Sequence, residues 1–187
     1  MTYIIKPLIS SWQRQIILGT ILGGSSLVKT EGRNCYLSMR GRNLGWIEYK
    51  SQAIDMLAPP NPFLTTKTGY FRWHSCCSPL LNDFYDLFYR NGKKTANMDV
   101  LNELRDIGLS IWFLDSGKIK DKELYMNTVY LGEDGTKIVN QYFREIDLIS
   151  EVIGTKVHLD KPSTSKFIEI IVHLIPEFMY GSLQEML

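Results

Sequence analysis

One order of elements, helix, strands, helix, strands, helix, can be traced twice along these 187 residues, and that duplication restricts the fold more than any other feature. A repeat of about ninety residues is too long for a solenoid, whose units run to about 20–50 residues. It fits two fused α+β halves packed about a pseudo-twofold axis. Residues 1–96 form the first half with its linker and 97–187 the second.

The element reading rests on periodicity and punctuation. Trp12, Ile16, Ile17, Ile21 and Leu22 recur at helical spacing behind Ser10 or Ser11, either of which can cap, and Gly23-Gly24 closes that helix. Residues 26–30 and 35–40 flank the turn Glu31-Gly32-Arg33-Asn34 as a hairpin. A helix over 44–57 stops at Pro59-Pro60-Asn61-Pro62, a second hairpin joins 63–67 to 70–74, and 79–89 reads as an aromatic-rich helix. The second half opens with a helix over 109–115 and a glycine turn at Gly117, followed by a strand over 123–130 and a helix over 135–149. A strand over 154–159 and a helix over 163–174, started by Ser and Thr caps after Pro162, complete it. Little room remains between Gly117 and Glu123 for a long hairpin, and no strand is evident after Leu159, so the second half is expected to be reduced.

With 44% hydrophobic and 22% charged residues the chain can build a real core as one compact unit. Its apolar runs fall short of the roughly 20 residues of a membrane span, and the opening Met1-Thr2-Tyr3-Ile4-Ile5-Lys6 has neither signal-peptide nor transit-peptide layout. Cys35, Cys76 and Cys77 are odd in number and two are adjacent, which argues against a disulfide framework. His74 beside Cys76 and Cys77 is too crowded and irregular for a zinc site, so no metal is assigned. The net charge of +1 conceals a polarity: residues 1–96 carry 12 Lys and Arg against 5 acids, and 97–187 carry 9 against 15. A basic half can meet phosphates, whereas an acidic half faces solvent or a protein partner.

Two segments, Ile17-Leu18-Gly19-Thr20-Ile21-Leu22-Gly23-Gly24-Ser25 and Leu109-Ser110-Ile111-Trp112-Phe113-Leu114-Asp115-Ser116-Gly117, are helices ending in small or acidic residues before a strand. They resemble the paired motifs of single-chain LAGLIDADG homing endonucleases, as a degenerate member would show them. Leu87 to Thr95 resembles that family's linker, and Leu174 to Tyr180 its closing segment, so the resemblance covers nearly the whole chain. It implies two pseudo-symmetric halves, each a curved antiparallel sheet with packed helices, whose two motif helices pack at the molecular centre with small residues such as Gly19 at their contact. It also implies a metal-binding carboxylate at the last acidic position of each motif, where Mg²⁺ would activate water.

Matched residue by residue, those two positions fall on Gly24 and Ser116, and a basic residue of the closing segment falls on Gly181. None can do the family's chemistry, so no catalytic residue is assigned. Asp115 survives one position early and could substitute only if the helix end unwinds or rotates, since neighbours on a helix point about 100° apart. Lys94 matches the family's other active-site lysine, yet a lone lysine can bind phosphate without hydrolysis.

Lys29, Arg33, Arg40, Arg42, Lys67 and Arg72 lie on or beside the first-half strands and, with Lys93 and Lys94, are the candidate phosphate contacts; the plain alternative is solubility charge on an exposed face. Tyr36, Trp46, Tyr70 and Trp73 could stack on unpaired bases, although aromatics are more often core. The expectation is a cleavage-inactive nucleic-acid-binding scaffold whose partner is RNA or double-stranded DNA, with a protein partner on the acidic half and no membrane. It is a monomer or a subunit of a ribonucleoprotein such as an organellar ribosome, and the mitochondrial matrix or another organelle fits as its compartment. The alternatives are an intron RNA maturase, a purely structural interaction module, and an active double-strand DNA endonuclease. The last would need Mg²⁺ and would use Asp115 with Asp121 or Glu31.

Overall fold

The chain is described by a computed structural model over residues 8–31, 34–59, 64–65 (backbone only) and 68–180. Arg33, Lys67 and Gly181, singled out above, lie outside the described residues. Helix α1 (Ser11–Leu22) begins at Ser10, where the Gln13 amide donates to the Ser10 hydroxyl and the Gln13 side chain accepts from the Ser10 N–H. That reciprocal box satisfies two of the donors a helix start leaves open.

Strands β1 (Ser26–Lys29) and β2 (Cys35–Gly41) follow, then α2 (Leu44–Ala53), capped by Asn43, and strands β3 (Leu64–Thr65) and β4 (Phe71–His74). They form an antiparallel sheet in the order β1-β2-β4-β3. A short helix α3 (Asn82–Phe88) leads into a small hairpin, β5 (Tyr89–Arg90) with β6 (Lys93–Lys94), and α4 (Met98–Glu103) brings the chain to α5 (Asp106–Ser116). Strands β7 (Gly117–Lys120) and β8 (Glu123–Asn127), helix α6 (Gly132–Glu145), strands β9 (Ser150–Ile153) and β10 (Lys156–Leu159) and helix α7 (Lys161–Ile171) complete the second half.

The second sheet runs β7-β8-β10-β9, the same order as the first. The expectation of a reduced second half is therefore corrected: β7 and β9 were hidden from the sequence reading, and restoring them gives both halves four strands. Strand β7 was hidden because Gly117, read as a turn, is extended (φ −80°, ψ 150°), and the reversal is made instead by Asp121 and Lys122 at φ 55° and 67°. A tight two-residue turn with both residues at positive φ normally takes Asn or Gly, so nothing in the Asp-Lys pair announces it. Strand β9 was hidden because α6 ends at Glu145, with Asp147 at φ 59° turning the chain, four residues earlier than periodicity suggested. Two further corrections are smaller. Helix α7 is capped by Asp160, whose carboxylate accepts from the Ser163 N–H at 2.9 Å, rather than by a later Ser or Thr. The helix over 44–57 breaks into α2 and one 3-10 turn, Asp55–Leu57.

The two halves meet along α1 and α5. Neither helix can be lined with bulk at the crossing: a Cβ on Gly19 would sit 2.4 Å from the Gly108 carbonyl oxygen and 2.8 Å from Ile111 Cβ, so only glycine lets the backbones approach this far. Around that seam Ile16, Ile17, Leu18, Ile21 and Leu22 bury beside Leu109, Ile111, Trp112 and Phe113, all under 5% exposed. The near end of α1 is also clamped: Gln15 accepts from the Arg105 N–H at 2.7 Å and donates to the Glu103 carbonyl at 2.9 Å, while Arg14 pairs with the Glu103 carboxylate. Each sheet lays one face on this core, through Leu37, Met39 and Trp73 in the first and Leu124, Met126, Val157 and Leu159 in the second. Among the described residues no helix is long and apolar enough to cross a membrane.

Candidate nucleic-acid interface and motif centre

Side chains alternate along a strand, so each sheet has a second, open face. In the first sheet Arg40 on β2 stands directly opposite Arg72 on β4, and Ser38 opposite His74. Arg40, Arg42 and Arg72 are exposed. The guanidiniums of Arg40 and Arg42 sit 4.2 and 4.9 Å from the centre of the Tyr70 ring, which holds the forks beside one another despite their like charge. Lys29 is not part of this group. The pleat places it with Leu27 and Cys35 on the core side of β1, and its ammonium lies 5.1 Å over the ring of Tyr85 on α3. Lys93 is exposed on the β5–β6 hairpin, which forms a two-stranded sheet of its own.

The second sheet contributes basic groups that the sequence reading passed over. Lys118 and Lys120 on β7 and Lys156 on β10 are exposed and share the open face with Tyr125 and His158. Lys-Ile-Lys alternates as a half-buried strand should, and this was the signal available. Between the lysines, His158 stacks on Tyr125 at 4.7 Å and lies 3.0 Å from Glu123 and 3.2 Å from Glu151. Much of the half's negative charge is elsewhere: Glu133, Asp134 and Glu145 are exposed on α6, whose buried side packs through Val139 and Phe143 on the core. The open face of the second sheet is thus mixed, Lys118, Lys120 and Lys156 standing among Glu123 and Glu151, while α6 carries a further group of exposed acids.

The aromatics are mostly committed. Trp73 is fully buried and Trp46 is 5% exposed. Tyr36 meets His74 edge-on at 5.4 Å, and Tyr70 lies beneath two arginines.

At the C-terminal ends of α1 and α5, where the motifs would place carboxylates, the residues do not fit a divalent ion. Gly24 is held at φ 114°, and a Cβ there would lie 2.7 Å from the Tyr130 ring, so the ring fills the space a side chain would take. Ser116 turns its hydroxyl back to donate to the Trp112 carbonyl at 3.0 Å, one turn up its own helix. Asp115 stays within the helix and is fully engaged: both oxygens accept from the Lys50 ammonium at 2.6 Å, and Oδ1 also accepts from the Trp46 indole N–H at 2.6 Å. Burial pushes the Asp115 carboxyl up from its ordinary value, against the pull of Lys50, Trp46 and Lys94.

Lys94 donates to the carbonyls of Ile21 and Ser25, the latter at 2.8 Å, and so caps the end of α1. Burial brings its pKa down to about 7, partly offset by the Asp115 charge. Asp121 sits at the β7–β8 turn, roughly 13 Å along the strand from Gly117 at about 3.3 Å per residue, and Glu31 lies in the corresponding turn after β1. Neither turn joins Asp115 at the centre. Among the described residues no three His, Cys, Asp or Glu side chains gather as a metal site. Lys50 and Tyr130 are residues of this centre that sequence reasoning missed, and Trp46, read there as a stacking candidate, instead donates to Asp115.

Comparison with known proteins bears on the whole arrangement. The homing endonuclease I-WcaI, solved bound to its DNA recognition sequence, superposes over 94% of this chain and 87% of its own, with TM-score 0.79 and 19% identity. I-DmoI, solved with DNA and Mn, matches over 86% of this chain and 96% of its own (TM-score 0.58, 11% identity). Full-length DUF199/WhiA from Thermatoga maritima matches over 89% of this chain and 57% of its own (TM-score 0.57, 13% identity). No curated protein matches the sequence. At these identities the structures speak for the fold alone, but the sequence model of the LAGLIDADG DNA endonuclease family matches residues 14–160. This chain, with its paired four-stranded sheets around two motif helices, belongs to the LAGLIDADG DNA endonuclease family.

Proposed function

We propose that the protein binds double-stranded DNA across the open faces of its two sheets and does not cleave it. The observation that carries this reading is a group of exposed guanidiniums on and beside one sheet face: Arg40 stands opposite Arg72, and Arg40 and Arg42 share the ring of Tyr70. Planar forks of this kind suit phosphate oxygens and the guanine edge. Lys118, Lys120 and Lys156 add exposed cations to the open face of the second sheet, where Glu123 and Glu151 partly offset them. I-WcaI and I-DmoI, which share the fold, are solved with DNA.

Duplex DNA is favoured over folded RNA for two reasons. The B-form major groove, about 12 Å wide, admits a β-ribbon, whereas the A-form major groove is too deep and narrow for side chains to read. Recognition of unpaired bases on the first sheet would need free aromatic faces there, and of the four stacking candidates Trp46 and Trp73 are buried while Tyr36 and Tyr70 are already in contact with His74 and the arginines. Absence of cleavage rests on Gly24 and Ser116, which bring no carboxylate to the motif centre. Selection from a randomised duplex library, with a pool of structured RNA competing, tests the assignment. Enrichment of a duplex sequence whose binding is lost in the Arg40→Ala/Arg72→Ala protein is expected. Exclusive enrichment of RNA, or of nothing, would overturn it.

A further inference from the structure

The motif centre is polar yet closed, and its charges balance in an unusual way. A helix C-terminus carries the negative end of the macrodipole, roughly half an elementary charge, so a carboxylate there is doubly unfavourable. Helix α5 ends on that arrangement, with Asp115 in its last turn. The compensating charge comes from α2. Trp46 and Lys50 are four residues apart and therefore on one face of that helix, and both are aimed at the same carboxylate. The Lys50 ammonium bridges the two oxygens symmetrically at 2.6 Å, with the lysine side chain 3% exposed and the aspartate 11%. A second ammonium, that of Lys94, closes the end of α1 in the same manner, on carbonyls instead of a carboxylate.

We propose that Lys50 is the resident cation of this centre: its ammonium does for Asp115 what a divalent ion would do, and removing it uncovers a latent metal site on that carboxylate. Three features support this. The ammonium is tethered and buried, so a free cation cannot reach Asp115 without displacing a covalently held competitor. The contact is bidentate, as a hard cation would make it. The opposite position, Gly24 under Tyr130, offers no second carboxylate that would favour the free ion. The inference concerns the free protein and stands whether or not the chain binds DNA.

Terbium is a suitable probe, because it takes oxygen ligands like the hard divalent ions and is sensitised by a nearby indole, and Trp46 already hydrogen-bonds Asp115. Titration of the wild-type protein with Tb³⁺ is expected to give no emission that depends on Asp115. In Lys50→Ala, sensitised emission should rise about tenfold, and Lys50→Ala/Asp115→Asn should abolish the gain. Lys50→Gln, which keeps most of the bulk and one donor, serves if the alanine protein does not fold. Should neither variant fold unaided, millimolar Mn²⁺ is expected to restore the circular dichroism of Lys50→Ala. Asp115-dependent emission in the wild type, folded Lys50 variants without emission, or unfolded variants that Mn²⁺ does not rescue would each overturn the proposal.

Discussion

Asp115→Asn is the substitution whose outcome the structure fixes most tightly. The change is nearly isosteric and leaves the Trp46 hydrogen bond an acceptor, so packing is little disturbed. What it removes is the counter-charge of an ammonium whose side chain is 3% exposed. Two opposing magnitudes apply. An exposed ion pair is worth about 0–1 kcal/mol, whereas breaking a buried pair by deleting one partner costs about 3–5 kcal/mol, because the remaining charge stays desolvated. With Lys50 donating to both oxygens and shielded by α2, the second applies, and the loss is a large fraction of the roughly 5–15 kcal/mol that holds a domain folded. Replacing both partners by apolar residues, Lys50→Met with Asp115→Leu, removes both desolvation penalties and should return to within about 1–2 kcal/mol of the wild type. Urea unfolding of the wild type, Lys50→Met, Asp115→Leu and the double variant gives the cycle directly, with Asp115→Asn measured beside them. A single-variant loss under about 1 kcal/mol, or additive effects in the double, would refute the reasoning that this centre is a buried, mutually dependent pair.

Other consequences can be checked with similar means. Arg40→Ala/Arg72→Ala should flatten the dependence of log affinity on log salt by about 1–2, at about 0.9 for each phosphate no longer neutralised, in fluorescence anisotropy with a selected duplex. Gly19→Ala should lower the thermal midpoint despite the better helix propensity of alanine, since its Cβ would stand 2.4 Å from a backbone oxygen and overpacking costs about 1–3 kcal/mol. Lys94 sets a pH dependence: its amine loses a proton near pH 7 when folded and near 10.5 when unfolded, so between those values the unfolded chain holds the extra proton. Stability from this group should therefore rise with pH across that window, by at most about 1.4 kcal/mol per unit, with the burial penalty fully present below it. Lys94→Met should remove the rise, as read from urea midpoints between about pH 6.5 and 9.5.

How much of this was written in the sequence differs from element to element. Helix α1 was legible because its cap, its apolar spacing and its closing glycines agree with one another. The start of α5 was placed three residues late, since Arg105 provides no side-chain cap to mark it. Strands β7 and β9 were missed because Asp121, Lys122 and Asp147 take positive φ without being Gly or Asn, and the tertiary sheet, not local preference, holds them there. Of the site, Arg40 and Arg72 were legible as basic residues on alternating strands, whereas the position of Lys29 on the core side is a matter of register that only the pairing decides. Gly24 and Ser116 could be found as departures from a motif. Lys50 could not: a lysine in mid-helix reads as surface, and its burial depends on Asp115, 65 residues further along the chain. Tyr130 is similar, an aromatic in a connecting turn whose role appears only when it meets Gly24.

The most direct test of the central claim is to measure duplex binding and strand scission together at one ionic strength, in Mg²⁺ or Mn²⁺ and in chelator. The account predicts equal affinity with either metal and in chelator, and intact strands throughout. Metal-dependent cuts that Asp115→Asn abolishes would contradict it and return the protein to the nucleases.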